Sequence, residues 1–236
     1  MVNEFLMQQL NFNFLTEKET YNFEDFLVLN SNLEAYSILI DNENNEYNKE
    51  IILLYGPEKS GKTYLANLWK IKKNAKFLNY NSFKNLSDEN FNEKLLGIIE
   101  NYDYYIIDDF DYKTINEKKL FHLINIIYST HSKLLLISNK DISTYIFSIK
   151  DLKSRINSCI KLKIKELSNE DKKIFIIRLL ASKKLILSKQ TINYIEKISP
   201  DTYKKVYDFI EKIDSKAKQE NKKITIPFIK RCLFLN

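Results

Sequence analysis

The 236 residues, 44% hydrophobic and 29% charged, suit a soluble chain holding one substantial domain, or one of about 150 residues with a small satellite. No apolar run approaches the roughly 20 residues that cross a bilayer, and the N-terminus, with Glu4 and no basic region before an apolar stretch, does not read as a secretory signal. The net charge of +6 is uneven: residues 1–165 hold 21 Lys/Arg against 22 Asp/Glu, and residues 166–236 hold 16 against 9, so the C-terminal part presents either a solvated lysine-rich surface or one for nucleic acid or an acidic partner.

Residues 1–20 are polar with scattered aromatics and read as an arm. The run Ile51-Ile52-Leu53-Leu54-Tyr55, closed by Gly-Pro, suits a strand buried on both faces. A helix is predicted from Gly61 to about Lys73, then a strand over Lys76–Tyr80, a helix over Asp88–Glu100 and a strand over Asp103–Ile107. Asn116–Thr130 places Leu120, Leu123, Ile124 and Ile127 at helical spacing; Lys133–Ser138 and Ile160–Ile164 read as two more strands. Strands alternating with helices imply a parallel sheet built from βαβ units. After Ser168 the periodicity is helical throughout: Asn169–Lys183, Ser188–Ile198, Thr202–Glu220 and Pro227–Phe234. Ser168, Ser188 and Thr225 supply capping signals. The expected division is an arm (1–20), an α/β base (21–167) and a helical lid (168–236).

Glycine is scarce, with three in the chain, yet two fall within Gly56-Pro57-Glu58-Lys59-Ser60-Gly61-Lys62-Thr63, followed by Tyr64. This matches G-x-x-x-x-G-K-[ST] between a buried strand and a helix, where curled backbone N–H groups and a helix N-terminus meet phosphate oxygens. Lys62 is expected to reach the β/γ-phosphates of ADP or ATP, and Thr63 to ligate Mg²⁺. Tyr104-Tyr105-Ile106-Ile107-Asp108-Asp109 has the Walker B form, with Asp108 toward the metal and Asp109 able to polarise water. Asn139, after the run Leu134–Ser138, reads either as a group that orients water near the γ-phosphate or as a turn cap. Arg155 stands out as one of three arginines in a chain with 34 lysines. A guanidinium offers a fixed two-donor fork that lysine cannot copy, so Arg155 is a candidate arginine finger acting on a neighbour's nucleotide; an ordinary surface role is the alternative. His122 and His131 have no ligand-like companions. Cys159 and Cys232 fit neither a metal spacing nor a disulfide framework, so a reduced, cytoplasmic protein is expected.

These motifs, in this order, resemble the AAA+ family and, within it, the DnaA-like proteins. Phe23–Val28 and Asn30–Tyr36 are similar to the segment that holds adenine there, which brings in Leu27 and Val28. Asp108-Asp109 matches the family's acidic doublet. Leu152-Lys153-Ser154-Arg155 resembles its box VII, whose arginine is the finger, and Lys223–Phe228 resembles the end of its lid. DnaA continues into a helix-turn-helix domain and this sequence does not, which points to the Hda type, regulators that promote hydrolysis of DnaA-bound ATP and prevent re-initiation. Gln9-Leu10-Asn11-Phe12-Asn13-Phe14 resembles their peptide for the DNA polymerase sliding clamp, with Gln9, Leu10, Phe12 and Phe14 as anchors, though Asn13 stands where proline is frequent.

The resemblance puts Asp201 where those proteins carry a lid arginine, with Lys204 and Lys205 one turn on. Weak intrinsic ATPase, or a preference for ADP, is therefore expected. The implied partners are DnaA and the clamp, with no membrane and no direct DNA contact; self-association stays open. A helicase loader or transposition-type ATPase acting on single-stranded DNA is the rival reading, and the basic lid favours it.

Overall fold

The computed structural model describes residues 21–41, 49–79, 101–111 and 116–234, with helical backbone also at 95, 97 and 99. The chain divides into two compact units, one of residues 28–167 and one joining residues 168–234 to the segment 21–27. The clamp-like peptide at 9–14 lies outside the described residues, as does most of the helix expected over 88–100.

In the first unit five parallel strands form one sheet in the order β2-β3-β4-β1-β5. They are β1 (Ile51–Tyr55), β2 (Lys76–Phe77), β3 (Tyr104–Ile107), β4 (Lys133–Ser138) and β5 (Ile160–Lys163). The expected strand over 76–80 is thus shorter: it holds an edge position, although the Leu78 N–H still donates to the Ile106 carbonyl at 2.8 Å. Register is fixed by apolar runs buried on both faces, with Leu53 opposite Leu136 and Ile106 opposite Leu135.

Alternation sends Ile51, Leu53, Tyr105, Ile107, Leu134 and Leu136 into one core, completed by Leu120, Leu123, Ile124 and Ile127 of α3 (Glu117–Ser129) and Leu152 and Ile156 of α4 (Lys150–Ser158). Helix α2 (Lys62–Lys73) buries Leu65, Ala66, Leu68 and Trp69 and packs on β3 and β4. A short helix, α1 (Leu33–Tyr36), runs into a π-helical turn over Ser37–Asp41. Helix α4 was not anticipated. Its nine residues include two buried apolar ones, a signal too sparse for periodicity alone.

The second unit is built from α5 (Asn169–Ser182), α6 (Lys189–Ile198), α7 (Tyr203–Gln219) and α8 (Ile226–Phe234). Ser168, Ser188 and Thr202 cap the first three by accepting from backbone N–H groups three residues on, and the Thr225 hydroxyl accepts from Phe228 N–H. Their apolar stripes close on Ile176, Leu180, Ile195, Tyr203, Val206, Ile210 and Ile229, with the Phe175 and Tyr203 rings edge-to-face at 4.9 Å. No helix among the described residues is long and apolar enough to cross a membrane.

Candidate functional site

Parallel strands all end at one edge of their sheet, so residues that follow neighbouring strands are brought together whatever their distance in sequence. Strand β4 lies between β1 and β3. The segment Gly56–Thr63 leaves β1, Asn139 leaves β4 and Asp108-Asp109 leaves β3. The Phe110 N–H donates to the Ile137 carbonyl at 2.8 Å, tying the acidic doublet to the β4 end.

Gly56 is required by close approach: a Cβ there would stand 2.5 Å from the Ile164 carbonyl oxygen. Gly61 caps α2 at φ 92°, ψ 11°, and Lys59 has φ 63°, so the loop curls tightly before the helix begins. Gly61 offers the helix no side-chain cap, leaving the first-turn N–H groups for an outside anion.

Inside the curl, Lys62 Nζ donates to the carbonyls of Gly56 at 2.9 Å and Pro57 at 2.7 Å. The side chain is buried, and burial pushes its pKa down to about 8, against the upward pull of Asp108, Glu58 and Asp109 in that order. The Ser60 side chain is buried too, and its hydroxyl has no hydrogen-bond partner. A desolvated cation and an orphaned hydroxyl in a loop of curled backbone fit a polyphosphate. Thr63 is exposed at the head of α2, and Asp108 is half-buried, accepting from the Asp109 N–H at 2.7 Å. Both fit as oxygen donors to a divalent cation completed by phosphate and water. Asp109 is exposed at φ 52°, a conformation Asp tolerates better than most residues. Asn139 is exposed beside Ser138, whose buried hydroxyl accepts from the Lys140 N–H at 3.2 Å. Glu58 and Lys59 are exposed, and Pro57 and Tyr64 half-buried.

Val28, 40% exposed, opens the first unit, and Leu27 closes the 21–27 segment of the other. Arg155 sits on α4, half-buried. Its guanidinium lies over the rings of Tyr128 at 4.8 Å and Phe121 at 5.5 Å, both on α3, and its buried Nη1 has no hydrogen-bond partner. Sequence reasoning missed these rings, yet a signal existed: Phe121 and Tyr128 are seven apart on one helix and so share a face. In the second unit, buried Lys172 donates to the Ser199 carbonyl at 2.7 Å and to exposed Asp201 at 2.8 Å. Lys172 stands 29 residues before Asp201, beyond any local pattern. His122 and His131 are exposed, and Cys159 and Cys232 are free thiols. Burial raises the pKa of Cys159 to about 11.

No family profile matches the chain. Among curated proteins it is 26% identical over 232 residues to the chromosomal replication initiator DnaA of Helicobacter acinonychis, covering 92% of this chain and 51% of that protein. To DnaA of Wolinella succinogenes it is 25% identical over 229 residues, covering 91% and 52%. The chain thus spans about half the length of the curated relatives it matches. Among solved structures, domain III of Thermotoga maritima DnaA superposes with a TM-score of 0.74 at 18% identity, covering 93% of this chain and 98% of that one. DnaA bound to AMPPCP and single-stranded DNA gives 0.67 at 21%, covering 86% and 69%. Thermotoga maritima RuvB gives 0.56 at 16%, covering 78% and 61%. The expected α/β fold, a parallel-sheet base with helices, is borne out, and it is the fold that domain III of Thermotoga maritima DnaA and RuvB share.

Proposed function

We propose that this chain is an adenine-nucleotide-binding regulator of the Hda type, which docks on the DNA polymerase sliding clamp and promotes hydrolysis of DnaA-bound ATP, so preventing re-initiation. The observation that carries the nucleotide part is the meeting of Gly56–Thr63, Asp108 and Asn139 at the ends of three adjacent strands. One of the structural relatives is described as bound to AMPPCP, which supports ADP or ATP here. In this reading Lys62 neutralises the β/γ-phosphates, and Thr63 and Asp108 hold Mg²⁺ and its water. Asp109 and Asn139 orient an attacking water, and Leu27 and Val28 border the base. Bound Mg²⁺ supplies charge neutralisation across the phosphates.

The trans-acting part rests on Arg155. Its guanidinium is stacked on its own α3, so action on a neighbour's nucleotide requires it to leave Tyr128 and Phe121. The unpartnered Nη1 gives it a donor to satisfy there. Asp201 is held by Lys172, which fits a chain with weak hydrolysis of its own.

The test is single-turnover phosphate release from ATP-loaded DnaA with clamp on DNA. Wild type should accelerate it; Arg155→Ala should lose that stimulation, given that fingers contribute about 10³–10⁵ in related NTPases. Arg155→Lys should rescue poorly. Joint replacement of Leu10 and Phe12 by Ala should weaken clamp binding about tenfold or more, each anchor contributing roughly 1–3 kcal/mol when buried. No stimulation by wild type would contradict the regulator and favour a helicase loader or transposition-type ATPase, for which the excess of 16 Lys/Arg over 9 Asp/Glu in residues 166–236 is the supporting observation.

A further inference from the structure

The last two helices of the helical unit, α7 and α8, are joined by a short cationic turn. Glu220 closes α7, and Asn221 beyond it takes a left-handed φ of 48°. The Lys222 N–H then donates to the Ala217 carbonyl at 2.9 Å, a bond that turns the chain sharply back. Thr225 starts α8 by accepting from the Phe228 N–H at 3.3 Å. Pro227 suits that first turn, where the N–H it lacks would have no partner in the helix. The local sequence thus brings Glu220, Lys222 and Lys223 to the start of α8, whose Phe228 and Arg231, three apart, share a face.

Lys222, Lys223, Thr225, Pro227, Phe228 and Arg231 line a cavity of about 370 Å³. That volume falls in the range of roughly 300–1,000 Å³ found for ligand sites. Pro227 and Phe228 supply its apolar lining. Phe228 is buried, and the Arg231 guanidinium lies over its ring at 5.2 Å, which fixes the cation in place. Lys222, Lys223 and Arg231 are exposed. One oxygen of Glu220, Oε2, lies 3.1 Å from Lys222 Nζ and also pairs with Arg231. Lys222, and after it Arg231, hold the Glu220 carboxyl below the usual carboxylate range. Lys223 makes no ion pair among the described residues.

We propose that this cavity docks an acidic segment of a partner protein, with Asp or Glu residues flanking one apolar side chain. The site lies wholly in the helical unit and shares no residue with the phosphate loop. Glu220 shows what the cations accept: a carboxylate oxygen held between an ammonium and a guanidinium. An incoming carboxylate takes Lys223 directly, and a second takes Lys222 and Arg231 by displacing Glu220. The apolar side chain lies against Pro227 and Phe228. Recognition of acidic motifs by clustered cations works in this way, with charge for attraction and a small pocket for choice.

Charge favours an anion, since three cations meet one acid here, in a stretch with 16 Lys/Arg against 9 Asp/Glu over residues 166–236. A nucleic-acid strand fits less well. Phe228 is buried beneath Arg231, so it offers no open ring face to a base, and Glu220 interrupts the row of cations that a phosphate chain would follow.

The test is fluorescence anisotropy of a labelled peptide of about ten residues, Asp and Glu around one central Leu, against the full chain. Wild type should bind it, and the same peptide with Asn and Gln for the acids should bind at least about tenfold more weakly. Lys222→Glu with Lys223→Glu should also weaken binding about tenfold or more, because reversal turns each attraction into repulsion. Glu220→Gln should strengthen binding about threefold, since it frees Lys222 and Arg231 for the peptide. Lys70→Glu with Lys118→Glu, exposed in the base, makes the same change in net charge and should move affinity less than about twofold at physiological salt. Lys223→Glu alone breaks no ion pair, should cost about threefold, and decides the matter if the double variant loses its thermal transition. Equal binding by wild type and the cavity variants overturns the proposal, as does an equal loss in the base pair, which would mark general charge attraction. Weaker binding by Glu220→Gln overturns it as well. Anionic phospholipid vesicles or a single-stranded oligonucleotide that displace the peptide and need the same two lysines would give the cavity to a phosphate polyanion, and so overturn it too.

Discussion

The base and the helical unit are held together in different ways. In the base, order comes from length-matched apolar runs: Leu53, Leu135, Leu136 and Ile106 are inaccessible, and each is fixed by neighbours on two strands. Its polar residues gather where the strands stop. In the helical unit, each helix buries one stripe and states its own beginning through Ser168, Ser188, Thr202 or Thr225. Polar groups there enter the interior itself: Lys172 reaches Ser199 and Asp201, while buried Asp214 takes Lys218 at 2.7 Å and Lys183 at 3.8 Å. A sheet with buried faces concentrates chemistry at its edges, whereas a small bundle spreads charged pairs through its packing.

Breaking this comparison begins where strand end and core coincide. Gly56→Ala forces a Cβ to 2.5 Å from backbone at Ile164, so the mutant should both lower the unfolding midpoint by several degrees and lose nucleotide binding. Thermal denaturation and nucleotide titration on one preparation check both. Next, Leu136→Ala should cost about 2–5 kcal/mol, because a fully buried strand residue leaves a cavity its neighbours cannot fill. Urea denaturation should show that loss in the base, with the helical unit's amide exchange little changed. At the helical unit the corresponding lever is smaller: Ser168→Ala removes the bond to the Asp171 N–H at 3.1 Å and should cost about 1 kcal/mol.

The smallest effect is a pH dependence. Lys62 has its pKa lowered from 10.5 to about 8 by burial, so between those values the folded chain holds fewer protons than the unfolded one. Its contribution to stability therefore rises with pH over that window, being least favourable below about 8. Phosphate binding favours the charged form, so nucleotide affinity should weaken as pH climbs above about 8. Isothermal titration in buffers of different ionisation heat should detect proton uptake on binding there and little at neutral pH.

The strand-end arrangement was readable from the sequence for a physical reason: the curl after β1 needs Gly56 and Gly61 at fixed spacings ahead of Lys62, and Asp108 follows an apolar run, so the pattern survives in one dimension. Caps were readable for the same reason, since Ser188 and Thr191 are three residues apart. Tertiary partnerships were not. The spacing of Phe121 and Tyr128 puts them on one helix face, but nothing near Arg155 says that it packs there, and nothing near Asp201 announces Lys172, because those pairings depend on how separate elements pack. Helix α4 escaped because only Leu152 and Ile156 mark its buried side.

The central claim is that the curled segment after β1 binds adenine nucleotide through Lys62. Titrating a fluorescent adenine nucleotide with Mg²⁺ into wild type and Lys62→Ala, each verified as folded by its thermal transition, tests it most directly. The account predicts saturable binding to wild type and a loss of at least about a hundredfold in the mutant, the cost of leaving phosphate charge in a desolvated loop without its cation. Equal affinity in the two proteins would contradict it.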